Sequence, residues 1–240
     1  MSGHSKWATI HRKKGLIDAE RGKVFQKLAK EIYVAARGTD GNPDHNPSLR
    51  MVIEKCRSQN MPKDNIQKAI DKATGSANGE EYDAIRYEGY GPNGIAVMVD
   101  CLTDNRNRTA SLVRAAFTKR GGNLGTDGSV SYLFNRRGVI VIPNTIDEDE
   151  AMMTSLDNGA LDFVTNDDSY EIYTEPDDFL SVKEALEDLG VTEFLTSEIT
   201  FVPQNEIELD DEEIEEKFYA MIDVLEDIDD VQEVYHNLKD

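Results

Sequence analysis

The chain has 240 residues, of which 39% are apolar and 30% charged, a composition typical of a globular protein with one to three domains. It contains no apolar stretch long enough to cross a bilayer, and its first residues lack the apolar core of a secretory signal. The two cysteines, Cys56 and Cys101, are too few for a disulfide framework or a thiolate zinc site, so we expect a reducing compartment. The acid-free start up to Ile17 leaves a mitochondrial presequence as a less favoured alternative.

The net charge of −21 is distributed very unevenly along the chain. Residues 1–75 carry 15 Lys and Arg against 8 Asp and Glu, and residues 76–137 carry 8 against 7. Residues 138–240 carry 3 against 32. A polyanion is therefore expected to be attracted to the first part of the chain and repelled by the last part.

Helical periodicity predicts three helices in the first 75 residues. The first is expected from about Ile17 to Arg37, the second from Pro47 to about Gln59, and the third from Pro62 to Gly75. Four cations are expected on the face of the first helix that lies opposite its apolar stripe: Lys23, Lys27, Lys30 and Arg37.

After a linker at 76–81 the pattern changes to that of strands. Strands are predicted at 82–90, 95–102 and 129–134, and a helix is predicted at 106–120. The glycine-rich segment GGNLGTDG at 121–128 lacks the lysine and the following helix of a phosphate-binding loop. We interpret it as a structural turn.

Residues 138–202 have the βαββαβ order of a ferredoxin-like domain. The last predicted helix, about 212–226, and the last strand, 231–238, have no partners in their own neighbourhood. We expect them to complete the sheet of the middle segment, which makes 138–202 an insertion into a split domain.

The sequence therefore predicts an α+β fold: a small N-terminal helical domain followed by two α/β (ferredoxin-like) domains, one inserted in the other. The predicted domains are residues 1–78, a basic helical domain with a flexible arm; residues 79–137 plus 203–240, a split α/β domain; and residues 138–202, an acidic insertion.

The sequence shows no pattern of a catalytic or metal site. The four histidines lack metal-ligand spacing, no G-x-S-x-G elbow is present, and the abundant acids define no acid–base pair. Cys56 and Cys101 lie on apolar patterns and are predicted to be small buried hydrophobes. We predict no enzyme activity, no cofactor, no metal and no small-molecule substrate.

The first 14 residues contain no acid and combine one aromatic residue with four cations: Lys6, Trp7, Arg12, Lys13 and Lys14. Such a segment suits a phosphate backbone with occasional base stacking, although a solvated tail is the simpler interpretation of a charge run. The cationic helix face that follows favours nucleic acid. The many lysines and few base-reading side chains position a phosphate backbone without specifying a sequence, which favours ribosomal RNA. Taken together, the residues alone favour DNA and RNA about equally.

The middle segment adds cations that are either ordinary surface residues or a second contact surface for nucleic acid or the ribosome. The pattern supports both interpretations equally. These cations are Arg106, Arg108, Arg114, Lys119, Arg120, Arg136 and Arg137.

Seven runs of the sequence resemble the YebC/PmpR family, and together they span essentially the whole chain. They are MSGHSKWATIHRKKGLIDAERGKVF, NPSLR, NMPKDNI, YEGYGPNG, TDNRNRT, KRGGNLG and VYHN. The resemblance implies three domains and, for a bacterial member, a cytoplasmic location. It implies a probable DNA-binding transcriptional regulator; the alternative it also implies is a ribosome-associated, RNA-binding translation factor or translational activator.

The candidate nucleic-acid-binding residues combine these motifs with the cationic helix face. They are Lys6, Trp7, Arg12, Lys13, Lys14, Arg21, Lys23, Lys27, Lys30, Arg37 and Lys63. Lys63 belongs to the NMPKDN segment, whose simplest role is to begin a helix. The expected partner is DNA or, alternatively, ribosomal RNA and the ribosome, with no membrane; the oligomeric state is left open.

Overall fold

The structure is a computed structural model that describes residues 18–75 and 81–239, with side chains from residue 22 onward. Across these residues, no helix combines the length and the apolar character that crossing a bilayer requires. The described chain folds into two compact units. Residues 135–202 form the body of one unit, and residues 18–56, 61–134 and 203–239 form the other.

Three helices begin the described chain, close to the predicted positions: α1 (Asp18–Ala36), α2 (Pro47–Ser58) and α3 (Lys63–Gly75). Asn46 begins α2 by accepting a hydrogen bond from the Leu49 N–H at 3.0 Å, and Pro47 occupies the first helical position, where its missing N–H costs nothing. Asn60 adopts a φ of 57°, a conformation that asparagine tolerates, and so turns the chain between α2 and α3. This turn buries Met61, and the NMPKDN segment leads into α3, which begins at Lys63, in agreement with its predicted role as a helix start.

The apolar stripes of these helices pack into one core. The largest contributors are all at most 7% exposed: Leu28, Ile32, Leu49, Ile53, Ile66 and Ile70. Each such side chain stabilises the fold by about 2 kcal/mol through the apolar surface it removes from water.

The first sheet has the strand order β3-β1-β2-β8. Its strands are β1 (Asp83–Tyr90), β2 (Ala96–Thr103), β3 (Asn123–Leu124) and β8 (Val231–His236). The last strand pairs antiparallel with β2, placing Val97 opposite His236, as the sequence predicts. Two helices, α4 (Arg106–Lys119) and α7 (Glu212–Glu226), supply Phe117 and Phe218 to the core on one face of this sheet.

The second sheet has the strand order β5-β6-β4-β7 and the predicted βαββαβ chain order. Its elements are β4 (Phe134–Pro143), α5 (Glu148–Asp157), β5 (Ala160–Thr165), β6 (Ser169–Thr174), α6 (Phe179–Asp188) and β7 (Thr196–Pro203). Ile140 and Ile172 from the strands pack with Phe179 and Leu186 from α6 in its core. The fold class is the predicted α+β arrangement, with a helical region followed by sheet-containing regions.

The predicted strand at 129–134 is wrong. Ser131–Leu133 form a 3-10 turn, and strand pairing begins only at Phe134. Val130 and Phe134 are buried, but Tyr132, which the alternation places on the same face, is 64% exposed. The backbone N–H groups of Val130 and Ser131 donate to the carboxylate of Glu88, and this prevents a neighbouring strand from pairing with them.

Candidate nucleic-acid interface

Six of the eleven predicted nucleic-acid-binding residues lie outside the described side chains: Lys6, Trp7, Arg12, Lys13, Lys14 and Arg21. The structure places the other five. They are Lys23, Lys27, Lys30, Arg37 and Lys63.

The α1 cationic face, which consists of Lys23, Lys27 and Lys30, contacts the segment that follows α7. The Lys23 ammonium lies 3.0 Å from Asp227 Oδ1, and Lys27 Nζ donates to the backbone carbonyl of Glu226 at 2.9 Å. These acceptors stand at the C-terminal end of α7, where the helix dipole adds to the negative charge. Lys23 and Lys27 are therefore held by the acidic end of the chain.

Lys30 is largely enclosed, with a side chain 17% exposed. Its Nζ donates to the backbone carbonyls of Asp229 at 3.1 Å and Leu102 at 3.3 Å. The same atom lies 3.6 Å from Asp230 Oδ1. Lys30 therefore joins α1 to the end of β2 and to the start of β8.

Asp230 is the buried acceptor at the centre of this contact. Its Oδ2 accepts hydrogen bonds from Arg108 at 2.7 Å, from Thr109 at 2.8 Å and from Thr103 at 3.2 Å. Burial by itself would raise the pKa of this carboxyl, but the hydrogen bonds from Arg108 and Thr109 outweigh burial and lower the pKa below its ordinary value. Asp230 therefore stays ionised at neutral pH.

The α1 cationic face is therefore occupied by contacts within the protein, and its binding of nucleic acid stays a prediction. Burial is the largest influence on Lys27 and lowers the pKa of its ammonium, although the charges of Glu233 and Glu226 act in the opposite direction. Lys23 remains at the surface, since its side chain is 55% exposed and its partner is 74% exposed. Lys27 and Lys30 instead serve as hydrogen-bond donors within the fold.

Replacing Lys30 with methionine is expected to lower the free energy of unfolding by about 2 kcal/mol, because two backbone carbonyls and Asp230 lose a charged donor. Replacing Lys23 with methionine removes only an exposed ion pair. This change is expected to alter the free energy of unfolding by less than about 1 kcal/mol. Urea unfolding of the two variants measures the difference. Equal losses would contradict the division of this face into enclosed and surface cations.

Lys55 belongs to the same contact and was not among the predicted residues. Its Nζ lies 2.9 Å from Glu31 Oε1 on α1 and 2.7 Å from Glu233 Oε1 on β8. Burial would lower the pKa of Lys55, but these two carboxylates outweigh burial and raise the pKa well above its ordinary value. No local pattern marks this triad, because its members are contributed by α1, α2 and β8.

Arg37 and Lys63 lie at the surface of the helical region. Arg37 pairs with Glu81 at 3.1 Å, and both side chains are exposed. Lys63 is exposed at the first residue of α3, and no acid among the described residues forms an ion pair with it. Both positions are accessible to a phosphate group.

The predicted structural turn at 121–128 contains a short strand, because Asn123 and Leu124 form β3 and pair with β1. The loop that continues from this segment binds a carboxylate. Glu88, which is 6% exposed, accepts backbone N–H bonds from Gly128, Val130 and Ser131 at 2.9, 2.8 and 2.7 Å. The anion-binding capacity of this loop is therefore satisfied by the protein itself.

The cations of the middle segment fall into two groups. Arg106 pairs with Asp83 at 2.8 Å, and Arg137 pairs with Glu175 at 2.8 Å. Arg108 lies 2.7 Å from both Asp104 and Asp230. Within the described residues no ion pair involves the others, which are all exposed: Arg114, Lys119, Arg120 and Arg136.

Both cysteines are buried and unbonded, as predicted: Cys56 is 0% and Cys101 2% exposed. Burial raises the pKa of each thiol to about 12, so both are protonated at neutral pH. His45 is exposed and lies 2.6 Å from Asp40, whose hydrogen bond raises the pKa of the imidazole. In residues 18–75 and 81–239 no group of three His, Cys, Asp or Glu side chains forms a metal-binding cluster.

Comparison with known proteins matches almost the whole chain. Residues 5–76 match the TACO1/YebC protein N-terminal domain, and residues 82–238 match the TACO1/YebC second and third domain. The chain is 56% identical over 241 residues to a probable transcriptional regulatory protein of Geobacillus kaustophilus, covering 99% of this chain and 97% of the relative. It is 52% identical over 244 residues to the probable transcriptional regulatory protein YrbC of Bacillus subtilis, covering all of both chains.

One solved structure has the same fold over nearly the same length. It is the crystal structure of a conserved hypothetical protein from Aquifex aeolicus, with a TM-score of 0.82 and 46% identity. The match covers 98% of this chain and 97% of that one. The two family matches lie within residues 5–238, two relatives exceed 50% identity, and the solved structure shares the fold. The chain therefore belongs to the TACO1/YebC family.

Proposed function

We propose that this protein is a non-enzymatic transcriptional regulator that binds DNA through its N-terminal region. The observation that carries the proposal is the concentration of cations in a chain of net charge −21: residues 1–14 hold four cations and no acid. Relatives that are 56% and 52% identical bear the name probable transcriptional regulatory protein. Cations without neighbouring acids supply the electrostatic, sequence-independent part of nucleic-acid binding.

The contacts of α1 narrow the proposed interface. Lys27 and Lys30 are left out, because a phosphate would have to displace donors that already satisfy backbone carbonyls. Lys23 and Arg37 remain, because exposed ion pairs are worth at most about 1 kcal/mol and a phosphate can replace the carboxylate. The proposed interface consists of Lys6, Trp7, Arg12, Lys13, Lys14, Arg21, Lys23, Arg37 and Lys63.

The proposed activity is binding without catalysis. Both thiols have a pKa near 12 and are poor nucleophiles at neutral pH. The loop that binds Glu88 has its N–H groups occupied and leaves no oxyanion-binding position there. We also propose a cytoplasmic location, because the proposed partner is DNA.

The alternative is a ribosome-associated translation factor that binds ribosomal RNA through the same residues. It is favoured by the composition of the N-terminal segment, in which Lys and Arg stand beside Trp7. Cations beside an aromatic side chain bind a single-stranded backbone and stack on its bases without reading their sequence.

The experiment that tests the proposal measures binding of the full chain to a labelled 30-bp DNA duplex by fluorescence anisotropy at several salt concentrations. The variant R12Q/K13Q/K14Q is expected to lower the slope of log affinity against log salt by about 3, at about 0.9 for each lost phosphate contact. The matched control K68Q/K217Q/K239Q removes the same charge from two exposed lysines and one partly exposed lysine outside the proposed interface. It is expected to keep the salt slope of the wild type. Equal slopes for both variants would refute the N-terminal interface.

A second measurement separates the two candidate functions. A regulator of transcription is expected to prefer some genomic promoter fragments over random duplex in a gel shift at physiological salt. A translation factor is expected to cosediment with ribosomes, and R12Q/K13Q/K14Q is expected to abolish that cosedimentation. Ribosome binding without any promoter preference would favour the alternative.

A further inference from the structure

The exposed side of α4 carries cations without acids. The helix contains no Asp or Glu, whereas each of the other six described α-helices contains at least one. In a chain with 47 acids and 26 cations, an acid-free helix of 14 residues is a local reversal of charge. Its surface is therefore complementary to a polyanion.

On the exposed face of α4, the cations that form no ion pair with another described residue lie on either side of small polar side chains. At about 100° per residue, Arg114 and Lys119 point about 140° apart around the helix axis. Ser111 and Thr118, both exposed, lie between them, and the Ser111 hydroxyl donates to the backbone carbonyl of Asn107 at 2.8 Å. The centre of the exposed face is therefore narrow, and positive charge stands on both sides of it.

The opposite side of α4 holds the helix rigidly on the first sheet. Val113, Ala116 and Phe117 are at most 2% exposed in the core that they share with α7. The start of the helix is fixed by Asn105, whose side chain accepts a hydrogen bond from the Arg108 N–H at 3.1 Å. A rigid helix of 14 residues is about 21 Å long and can follow several phosphates of a duplex.

We propose that α4 enters the major groove of duplex DNA, with Arg114 contacting the phosphates of one strand and Lys119 and Arg120 those of the other. The B-form major groove is about 12 Å wide and admits a helix, whereas the A-form groove of duplex RNA is too narrow. Ser111 and Thr118 face the base edges. This inference rests on the proposed DNA-binding function and adds a second contact surface to it.

The cations of α4 could instead serve only to stabilise the helix, and that role predicts a different effect of their removal on DNA affinity. Lys119 and Arg120 stand at the C-terminal end of α4, where cations stabilise the helix dipole. Arg114 lies five residues before that end, beyond the reach of this effect. If the cations served only the helix, their removal would lower the stability of the protein and leave DNA affinity unchanged.

The test uses the full chain with a labelled 30-bp DNA duplex and a 30-bp RNA duplex of the same sequence. The variant R114Q/K119Q/R120Q is expected to lower the DNA salt slope by about 3 and the affinity by about tenfold or more, with little change on the RNA duplex. K68Q/K217Q/K239Q, which carries the same net charge, is expected to bind DNA as the wild type does. The charge-preserving R114K/R120K is expected to retain most of the affinity, since lysine still meets phosphate as a point charge.

A single substitution tests groove entry without removing any cation. Ser111→Glu puts a negative charge at the centre of the exposed face, on a helix position that tolerates glutamate, and is expected to weaken DNA binding by about tenfold or more. Thermal unfolding of each variant verifies that it is folded.

The outcomes distinguish the two proposals. A wild-type protein that binds no DNA would overturn both. DNA binding that is equal in R114Q/K119Q/R120Q and its control would overturn the α4 surface alone. An equal loss on the DNA and RNA duplexes would overturn the major-groove assignment.

Discussion

Replacing Glu88 with alanine is expected to lower the free energy of unfolding by about 3–5 kcal/mol. The Glu88 carboxylate accepts three backbone N–H bonds, from Gly128, Val130 and Ser131, in a site where the residue is only 6% exposed. A buried donor that loses its acceptor costs about 1–3 kcal/mol, and one buried and two partly buried donors are affected at once. Chemical denaturation monitored by circular dichroism measures the loss.

The control for this variant is Asp127→Ala, which removes an exposed acid from the same loop and is expected to change stability by less than about 0.5 kcal/mol. Glu88→Gln keeps the shape but presents an amide N–H₂ to at least one of the donors, so an intermediate loss is expected. A stability of Glu88→Ala close to that of Asp127→Ala would contradict the anchoring role of the carboxylate.

The same anchor predicts a pH dependence. Burial alone would raise the pKa of Glu88, but the N–H donors of Val130, Gly128 and Ser131 outweigh it and hold the pKa below its ordinary value. A carboxyl with a lowered folded-state pKa stabilises the fold above its unfolded pKa, and that stabilisation is lost as the pH falls through the folded value. The stability difference between the wild type and Glu88→Gln is therefore expected to shrink below about pH 4.

Replacing Lys55 with methionine is expected to lower the free energy of unfolding by about 3 kcal/mol. The ammonium lies between the carboxylates of Glu31 and Glu233, and the Lys55 and Glu31 side chains are 21% and 17% exposed. Removing it leaves two carboxylates facing each other, one of them largely enclosed, and breaking such a pair costs about 3–5 kcal/mol when it is fully buried. Urea denaturation at neutral pH measures the effect.

Two comparisons test the cause of this loss. Lys217→Met breaks an exposed pair with Glu213 and is expected to cost less than about 1 kcal/mol. The double variant Lys55→Met with Glu31→Leu removes the stranded carboxylate and is expected to recover most of the stability. Failure of the double variant to recover would show that Lys55 acts through packing and not through charge.

The loss in Lys55→Met is also expected to be smaller at acidic pH. Burial already raises the pKa of Glu31 above its ordinary value in the wild type, against the opposing charge of Lys55. Without that lysine the carboxyl binds a proton at a still higher pH, and the neutral form carries no repulsion. A loss that grew on acidification would contradict this account.

Local pattern was sufficient to predict most helices and strands. The apolar period of α7 predicts residues 212–226, and the structure has Glu212–Glu226. The absence of a local partner for β8 predicts its pairing with the sheet of the middle segment, and it pairs with β2. Such predictions succeed because side-chain burial repeats with the geometry of each element.

The same reasoning failed where a distant side chain decided the backbone conformation. Residues 129–134 alternate like a strand, but Glu88 lies about 40 positions earlier and binds the N–H groups that a strand would use. Alternation of residue types carries no information about the acceptors of the backbone N–H groups. The three-domain division and the contacts of residues 1–14 with nucleic acid remain predictions.

The sequence by itself determined most of the elements, the family and the separation of a basic beginning from an acidic end. Only the tertiary structure decided which cations remain available at the surface. Lys23 and Asp227 are 204 positions apart, and Lys30 meets carbonyls from two other strands or loops. Charge counts are additive along the chain, whereas the neutralisation of a charge depends on distances of a few ångströms that arise when remote segments pack together.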